Sequence, residues 1–182
     1  MSLPAAWRER VEEYVRPLYT GLDGVDTFGG VRQLETSLAE LTDGLEHDAR
    51  ALELLVLFHG VTDRLGSLDS GGRWQIFLAG LGLQPAEIKA LRVGLGRHAT
   101  DPLTLEEELL HDALLLARSG VRAAVAGLLG AGRKRLPLER AVAALDAGPE
   151  PRRFRTGSGR ALAEPQYVAA TEWIEDLRRR LG

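Results

Sequence analysis

One carboxylate, that of Asp112, sits in an almost entirely apolar stretch and needs a chemical explanation. The segment TLEEELLHDALLLARSG opens with Thr104 and Glu107, a pair typical of a helix start, and continues mainly with leucine and alanine. It therefore predicts a central helix packed on several sides, with a left-handed helix end at Gly120. A carboxylate there must be hydrogen-bonded, paired or metal-bound, because leaving it bare is costly. Two explanations stay open: Asp112 caps a neighbouring helix or pairs with an arginine, or it binds a metal ion.

The histidines are the other side chains able to hold a metal or move a proton. His59 follows the apolar segment ELLVLF, and His98 ends a later helix. Either imidazole could instead be structural, since His59 can bond a carbonyl and His98 is favoured by the helix dipole. His111 precedes Asp112, whereas His47 lies at a polar helix start and is expected to be a solvated cap. The metal-capable candidates are therefore His59, Asp112 and His98.

A dense positive stretch carries Arg152, Arg153, Arg155 and Arg160 in a loop rich in glycine. A glycine-rich segment at a helix start can present backbone N–H groups to a phosphate. Arg155 and Arg160 are thus candidate anion-binding residues, and a solvated loop is the alternative. The basic segment GRKRLPLER, residues 132–140, is expected to supply helix-end charge.

Composition and missing motifs narrow the functional classes. The chain has 182 residues, 45% of them hydrophobic, and no cysteine, which predicts a single domain over residues 1–182 and excludes thiolate chemistry. No HExxH, P-loop or GxSxG motif is present. A net charge of −3 and the lack of a membrane-length apolar run give no reason to expect a membrane partner, and make nucleic acid an unexpected one. Without a signal-peptide core, a cytoplasmic location is expected.

Hydrophobic residues recur at helical spacing along the chain, and no alternating strand pattern or internal repeat interrupts them. Asp48 is expected to cap the helix after it, and Pro85 lies in the first turn of another helix. Turns are expected at GLDGVDTFGG and DRLGSLDSGG. The sequence predicts an all-α fold of eight to ten helices. The inward face of the last helix is expected to consist of Val168, Trp173, Ile174 and Leu177.

The order of these segments resembles the HD-domain metal-dependent phosphohydrolase superfamily, an orthogonal helical bundle named for its His-Asp pair. ELLVLFHG resembles the family's apolar helix ending in that pair, which places His59 on the family histidine. LLHDALLLARSG resembles the family's LLxDADxLDxxG, which places Asp112 on the late metal aspartate. GLGLQPAEIKALRVGLGRH resembles the intervening helices, with His98 where many members have a histidine. RTGSGRALAEPQYVAATEWIEDL resembles a closing T-x-x-GR-x-LA segment, so the likeness covers about residues 7–177.

The sequence departs from this family at several ligand positions. Gly30 aligns with the family's first histidine, and Gly60 replaces the aspartate of the His-Asp pair. Leu114 and Ala117 stand where the DADxLD pattern has further acids. The resemblance therefore implies a degenerate site in which His59 and Asp112 approach each other, and a divalent metal that is absent or weakly bound.

These departures predict a non-catalytic module with an HD-type fold, a pseudoenzyme that binds a small phosphorylated ligand or a protein partner. The alternative is an active metal-dependent phosphohydrolase that acts on a phosphomonoester or nucleotide through a non-standard ligand set.

Overall fold

The computed structural model describes residues 3–21, 27–65 and 72–181, and in these ranges the chain is helical with no strand. The predicted all-α fold is therefore confirmed. The two predicted turns lie partly outside the described residues, at 22–26 and 66–71. Within the described ranges there are nine α-helices: α1 Ala5–Val15, α2 Phe28–Leu41, α3 Ala49–Phe58, α4 Arg73–Gly80, α5 Pro85–Arg97, α6 Leu105–Leu116, α7 Gly120–Arg133, α8 Leu138–Ala143 and α9 Gly157–Leu181. Short 3-10 helices lie at Arg16–Tyr19, His59–Arg64 and Pro151–Arg153.

The chain divides into two compact units, with the boundary inside α6 between His111 and Asp112. Unit 1 contains α1 to α5 and most of α6, and unit 2 contains the end of α6 with α7, α8 and α9. The expected single domain over residues 1–182 stays a prediction. No single helix in the described ranges is long and apolar enough to cross a membrane.

Two helices of unit 1, α3 and α5, begin where the sequence predicts. Asp48 caps α3, because its Oδ1 accepts the N–H groups of Arg50 and Ala51 at 3.0 and 3.1 Å. Pro85 is the first residue of α5, where its missing N–H costs nothing. Large side chains fully buried in this unit include Val11, Val15, Val31, Leu34, Leu41, Leu57, Phe58, Trp74, Leu78, Leu109 and Leu110.

Unit 2 is organised along α9, a helix of 25 residues. One cluster joins Ala124 of α7 and Leu145 to Ile174 of α9, with Trp173 and Leu177 packed against it. The predicted inward position of Val168 is wrong, because that side chain is 45% exposed. Val168 and Ile174 are six residues apart, so they lie about 120° apart around a helix of 3.6 residues per turn.

The central helix α6 begins as predicted, because the Glu107 N–H donates to Thr104 Oγ1 at 3.3 Å. It ends earlier than predicted, at Leu116, and Gly120, which has φ of 76°, is the first residue of α7. That left-handed conformation is one that glycine adopts at little cost. Asp112 itself is fully buried. The helix therefore delivers a carboxylate into a closed interior, and its partners decide its role.

Candidate functional site: a buried aspartate and a histidine pair

Asp112 is bonded to the chain segment that leads into α9. Its Oδ1 accepts the Arg155 N–H at 2.8 Å. Its Oδ2 accepts both the N–H and the hydroxyl of Thr156, at 2.8 and 2.7 Å. Three donors at such distances satisfy a buried carboxylate without a counterion, since hydrogen bonds to a charged acceptor are stronger than neutral ones.

Thr156 relays this contact to the start of α9. Its Oγ1 accepts the Gly159 N–H at 2.9 Å, which is the usual bond from a capping hydroxyl to a helix's first turn. Gly159 is closely packed here: a Cβ added to it would lie 2.3 Å from Asp112 Oδ2 and 2.9 Å from Thr156 Oγ1. We call Asp112, Thr156 and Gly159 the Asp112 anchor. Thr156 caps α9, and Asp112 supports it by accepting the N–H groups of the two residues before that helix, a structural role of the kind first left open from the sequence.

Thr156 is the functional partner that the sequence reasoning missed. The T-x-x-G spacing of Thr156 and Gly159 was visible, and it is the spacing of a capping residue and the third residue of a helix. Nothing local in the sequence connects that spacing to Asp112, because the two residues are 44 positions apart.

His59 and His98 are brought close together within unit 1. Their ring centroids are 6.4 Å apart and the rings are nearly perpendicular, at 89°. Both residues are buried, with 7% of each exposed. The Nδ1 of His59 lies 2.7 Å from the Val56 carbonyl oxygen, and the Nδ1 of His98 lies 3.1 Å from that of Leu95. A nitrogen that faces a carbonyl must carry the proton, so Nε2 is the ring nitrogen that would coordinate a metal.

His98 is held in its neutral form by its surroundings. Burial is the main influence and lowers the pKa of its imidazole below the ordinary 6.5, although the backbone groups of Leu95 and Gly94 act in the opposite direction. His111 adds to this effect, and its own Nδ1 lies 3.1 Å from the His98 carbonyl oxygen. His47 is half-buried, and its Nδ1 lies 3.0 Å from the Leu45 carbonyl oxygen.

The donor set in the described part of the chain does not fit a tightly held divalent ion. No group of three or more His, Asp or Glu side chains there could hold a metal. Asp112 uses three of its roughly four lone-pair positions on Arg155 and Thr156. Gly30 lies in the first turn of α2 and donates its N–H to Thr27 Oγ1 at 2.9 Å, and it has no ligand atom. The approach of His59 to Asp112 stays a prediction, because the two residues belong to different units.

The arginines of the loop before α9 mainly support the loop itself. Arg160 Nη1 donates to the carbonyl oxygens of Phe154 and Arg155, both at 3.0 Å. Arg155 contributes its backbone N–H to Asp112, and its side chain is exposed. Anion binding by Arg155 and Arg160 stays a prediction.

A second buried acid, Glu107, was not singled out from the sequence as a partner for an arginine. Arg97 forms a two-pronged bond with it, from Nε at 2.7 Å and from Nη2 at 2.8 Å, and the Leu103 N–H adds a third at 2.9 Å. Burial alone would raise the pKa of Glu107, but these hydrogen bonds and the Arg97 charge hold it below the ordinary 4.5. Glu107 is therefore ionised and structural.

Unit 1 also contains a cavity of about 260 Å³ between α3, α5 and α6. Besides apolar side chains, it is lined by four acids, Asp48, Glu87, Glu106 and Glu107, and by a single arginine, Arg50. The Arg50 guanidinium lies 4.8 Å from the Trp7 ring and 3.4 Å from Glu87. Neither histidine of the pair lines this cavity. It suits a compact neutral or cationic ligand better than a phosphate.

The comparisons with known proteins concern the fold. Neither a protein-family model nor a curated protein sequence matches this chain. A structure described as a predicted HD superfamily hydrolase, from an uncultured Thermotogales bacterium, aligns over 96% of this chain and 92% of its own, with a TM-score of 0.68 and 18% identity. Bacillus subtilis YpgQ, solved in complex with ADP, aligns over 96% of this chain and 95% of its own, with a TM-score of 0.69 and 16% identity.

These two likenesses extend over nearly the whole of each chain, and they agree with the helical architecture described above. The resemblance inferred from the order of the sequence segments is therefore supported by a likeness in three-dimensional structure. This chain shares its fold with these two structures.

Proposed function

We propose that this chain is a non-catalytic protein with the HD fold, which binds a ligand or a partner and does not hydrolyse a phosphoester. The observation that supports this most strongly is the Asp112 anchor. The aspartate that the family resemblance assigns to the metal is fully buried here, and its carboxylate holds the start of α9.

Hydrolysis in this fold depends on a cation that lowers the pKa of a bound water molecule. Such an ion needs several ligands held in place by surrounding hydrogen bonds. Gly30 and Gly60 cannot supply ligands from their side chains, and Asp112 has about one lone-pair position left. Two imidazoles, those of His59 and His98, would then bind an ion weakly and leave most of its positions to water.

An active hydrolase is the second candidate, and the histidine pair favours it. His59 and His98 are close together, and burial keeps His98 neutral, as a metal ligand must be. The ADP found with Bacillus subtilis YpgQ makes nucleotides the first ligands to test. A nucleotide would have to bind outside the cavity between α3, α5 and α6, because the acids that line this cavity repel phosphate.

The decisive experiment compares the parent chain with Asp112→Asn in manganese titration calorimetry and in phosphate release from p-nitrophenyl phosphate and ADP. We expect no stoichiometric manganese binding and no metal-dependent phosphate release from the parent. Asp112→Asn should leave both measurements unchanged while lowering the stability of the fold. Asp146→Asn is the matched control, because Asp146 Oδ1 accepts a single N–H, from Gly148 at 2.8 Å, in an exposed turn.

The hydrolase becomes the better explanation if the parent binds one manganese ion per chain and Asp112→Asn abolishes both binding and phosphate release. A thermal-shift screen then follows on the same samples. A ligand present at about a hundred times its dissociation constant stabilises the protein by roughly 2.7 kcal/mol, which such a screen detects. Stabilisation by ADP without turnover would support a binding module.

A further inference from the structure

The charges of the two units have opposite sign. Residues 112–182 contain 13 arginines and lysines and 8 aspartates and glutamates, a formal charge of +5. Residues 1–111 contain 10 and 18, a formal charge of −8. The whole-chain charge of −3 averages these values and hides them. A chain whose halves differ in this way has one part that attracts polyanions, even though its total charge does not.

The positive charge of unit 2 is concentrated where α7 ends and α8 begins. Every residue from Gly132 to Arg140 is exposed. This run contains Arg133, Lys134, Arg135 and Arg140 and a single acid, Glu139. None of these four cations forms a salt bridge with any residue in the described ranges. Their charge is therefore available to a partner.

Bulky apolar side chains stand among these cations. Leu129, Leu136 and Leu138 are 64%, 46% and 53% exposed. We call residues 129–140 the α7–α8 tip. Exposed leucines are ordinary when single, but several within one short basic segment mark an interaction surface.

The backbone fixes the shape of this tip. The Leu136 N–H donates to the Ala131 carbonyl at 3.0 Å, and the Arg135 N–H donates to that of Gly132 at 2.9 Å. These two bonds close the C-terminal end of α7, and Arg135 adopts the left-handed conformation there, with φ of 56°. Glycine is the usual residue there, so an arginine at this position adds charge to the turn at some cost in conformational energy.

We propose that the α7–α8 tip docks unit 2 on the surface of an anionic lipid bilayer. The cations would lie among the lipid headgroups, and the leucines would enter the boundary with the acyl chains. A bilayer suits an exposed run of this kind because it can receive side chains without a preformed groove. A bilayer also accounts for the exposed leucines, which would have no role in binding nucleic acid. The tip has no aromatic side chain on which bases could stack.

The test is sedimentation of the full chain with phosphatidylcholine vesicles that contain or lack phosphatidylserine. We expect binding only to the phosphatidylserine vesicles, and we expect added salt to weaken it, because salt screens exposed charges. Each cation near such a surface contributes about a fivefold increase in partitioning. Arg133→Glu with Lys134→Glu should therefore lower partitioning by about 25-fold or more. Arg135 is left unchanged so that the turn is kept.

Leu136→Ser with Leu138→Ser tests the apolar contribution and should lower partitioning by about tenfold at unchanged charge. Both side chains are exposed, so the helical circular dichroism and melting temperature of this variant should match those of the parent. Ile76→Ser, at a position 67% exposed in unit 1, is its matched control and should bind vesicles like the parent.

Arg152→Glu with Arg153→Glu is the matched charge control, since it changes the charge of unit 2 by the same amount away from the leucines. An equal loss in this control would overturn the proposal in favour of general attraction to a positive unit. Failure to bind phosphatidylserine vesicles at low salt would overturn it as well. Binding of duplex DNA or polyglutamate in place of vesicles would assign the tip to a different polyanion. The tip shares no residue with the Asp112 anchor, so none of these outcomes affects the proposed non-catalytic role.

Discussion

The Asp112 anchor of unit 2 and the histidine pair of unit 1 satisfy their polar groups in different ways. Asp112 bonds to Arg155 and Thr156, which are 43 and 44 residues away. The Nδ1 atoms of His59 and His98 each face a carbonyl of their own helix, three residues earlier. A long-range polar contact fixes how chain segments pack, whereas a local one can be lost with little effect on the rest of the fold. The aspartate that most resembles a metal ligand therefore holds together segments that are distant in the sequence.

The largest effect expected from this comparison is that of Asp112→Asn. The amide has a single acceptor oxygen, so its NH2 group would face either the Arg155 N–H or the Thr156 donors and leave a buried donor unsatisfied. We expect the free energy of unfolding to fall by about 2–4 kcal/mol. Urea unfolding followed by circular dichroism measures this. Asp146→Asn should cost much less, about 0.5–1 kcal/mol, because its bond is exposed. Equal losses in the two variants would contradict the anchor.

Gly159→Ala should cause the next largest decrease in the free energy of unfolding. An alanine Cβ at this position would lie 2.3 Å from Asp112 Oδ2, so the carboxylate or the start of α9 must move. We expect a loss of about 1–3 kcal/mol, as for overpacking of a buried site. The matched control is Gly157→Ala in the same turn, where a Cβ meets nothing within 4 Å. That variant should be neutral or gain up to about 1 kcal/mol, as alanine normally does in a helix.

Glu107→Gln tests a buried charge in unit 1. Its partner, Arg97, lies ten residues away in the sequence. The Glu107 pKa is lower in the folded chain than its ordinary 4.5. Its ionised form therefore stabilises the protein above that pH, and this contribution is lost as the pH falls through the folded pKa. We expect Glu107→Gln to cost about 1–3 kcal/mol near neutral pH and less in acid. A constant difference between parent and variant across that range would show that the charge is unimportant.

The smallest effect should come from His98→Gln. Burial lowers the His98 pKa in the folded chain below 6.5, so the unfolded chain binds a proton more readily. Stability is then greatest above the ordinary pKa and decreases as the pH falls through it toward the folded value. We expect His98→Gln to cost about 1 kcal/mol at neutral pH and to remove part of the parent's decline on acidification. Thermal melts over this pH range give the slope. A parent whose stability increases as the pH falls would contradict the assignment.

The sequence was sufficient for the helices because their signals are local. The apolar spacing of α2 and α3, the Asp48 cap and Pro85 each act within one or two turns of the chain, and each prediction is confirmed. The HD-type fold was also predictable, from the order of whole segments. The prediction for Val168 was wrong because a residue six positions before Ile174 does not lie on the same side of a helix.

The site was less predictable for a physical reason. The pattern around Asp112 showed that a buried carboxylate needs a partner, but a helix sequence does not specify which distant segment provides it. A metal ion and three backbone or hydroxyl donors satisfy the same requirement. Only the folded chain, in which the start of α9 lies close to Asp112, places Thr156 there. The proximity of His59 to His98 had the same origin, since it depends on the contact between α3 and α5.

The close approach of Gly159 to Asp112 restricts the order in which mutations can accumulate. While the carboxylate is present, a side chain at position 159 comes too close to it, so that position strongly favours glycine. If Asp112 is first replaced by a smaller residue, the closest of these contacts is removed, only the one to Thr156 Oγ1 at 2.9 Å remains, and a side chain at 159 becomes easier to accept. After such a replacement at 159, restoring the aspartate would be harmful. The pair therefore behaves as a ratchet in sequence evolution, in which losing the carboxylate is a step that later substitutions make difficult to reverse.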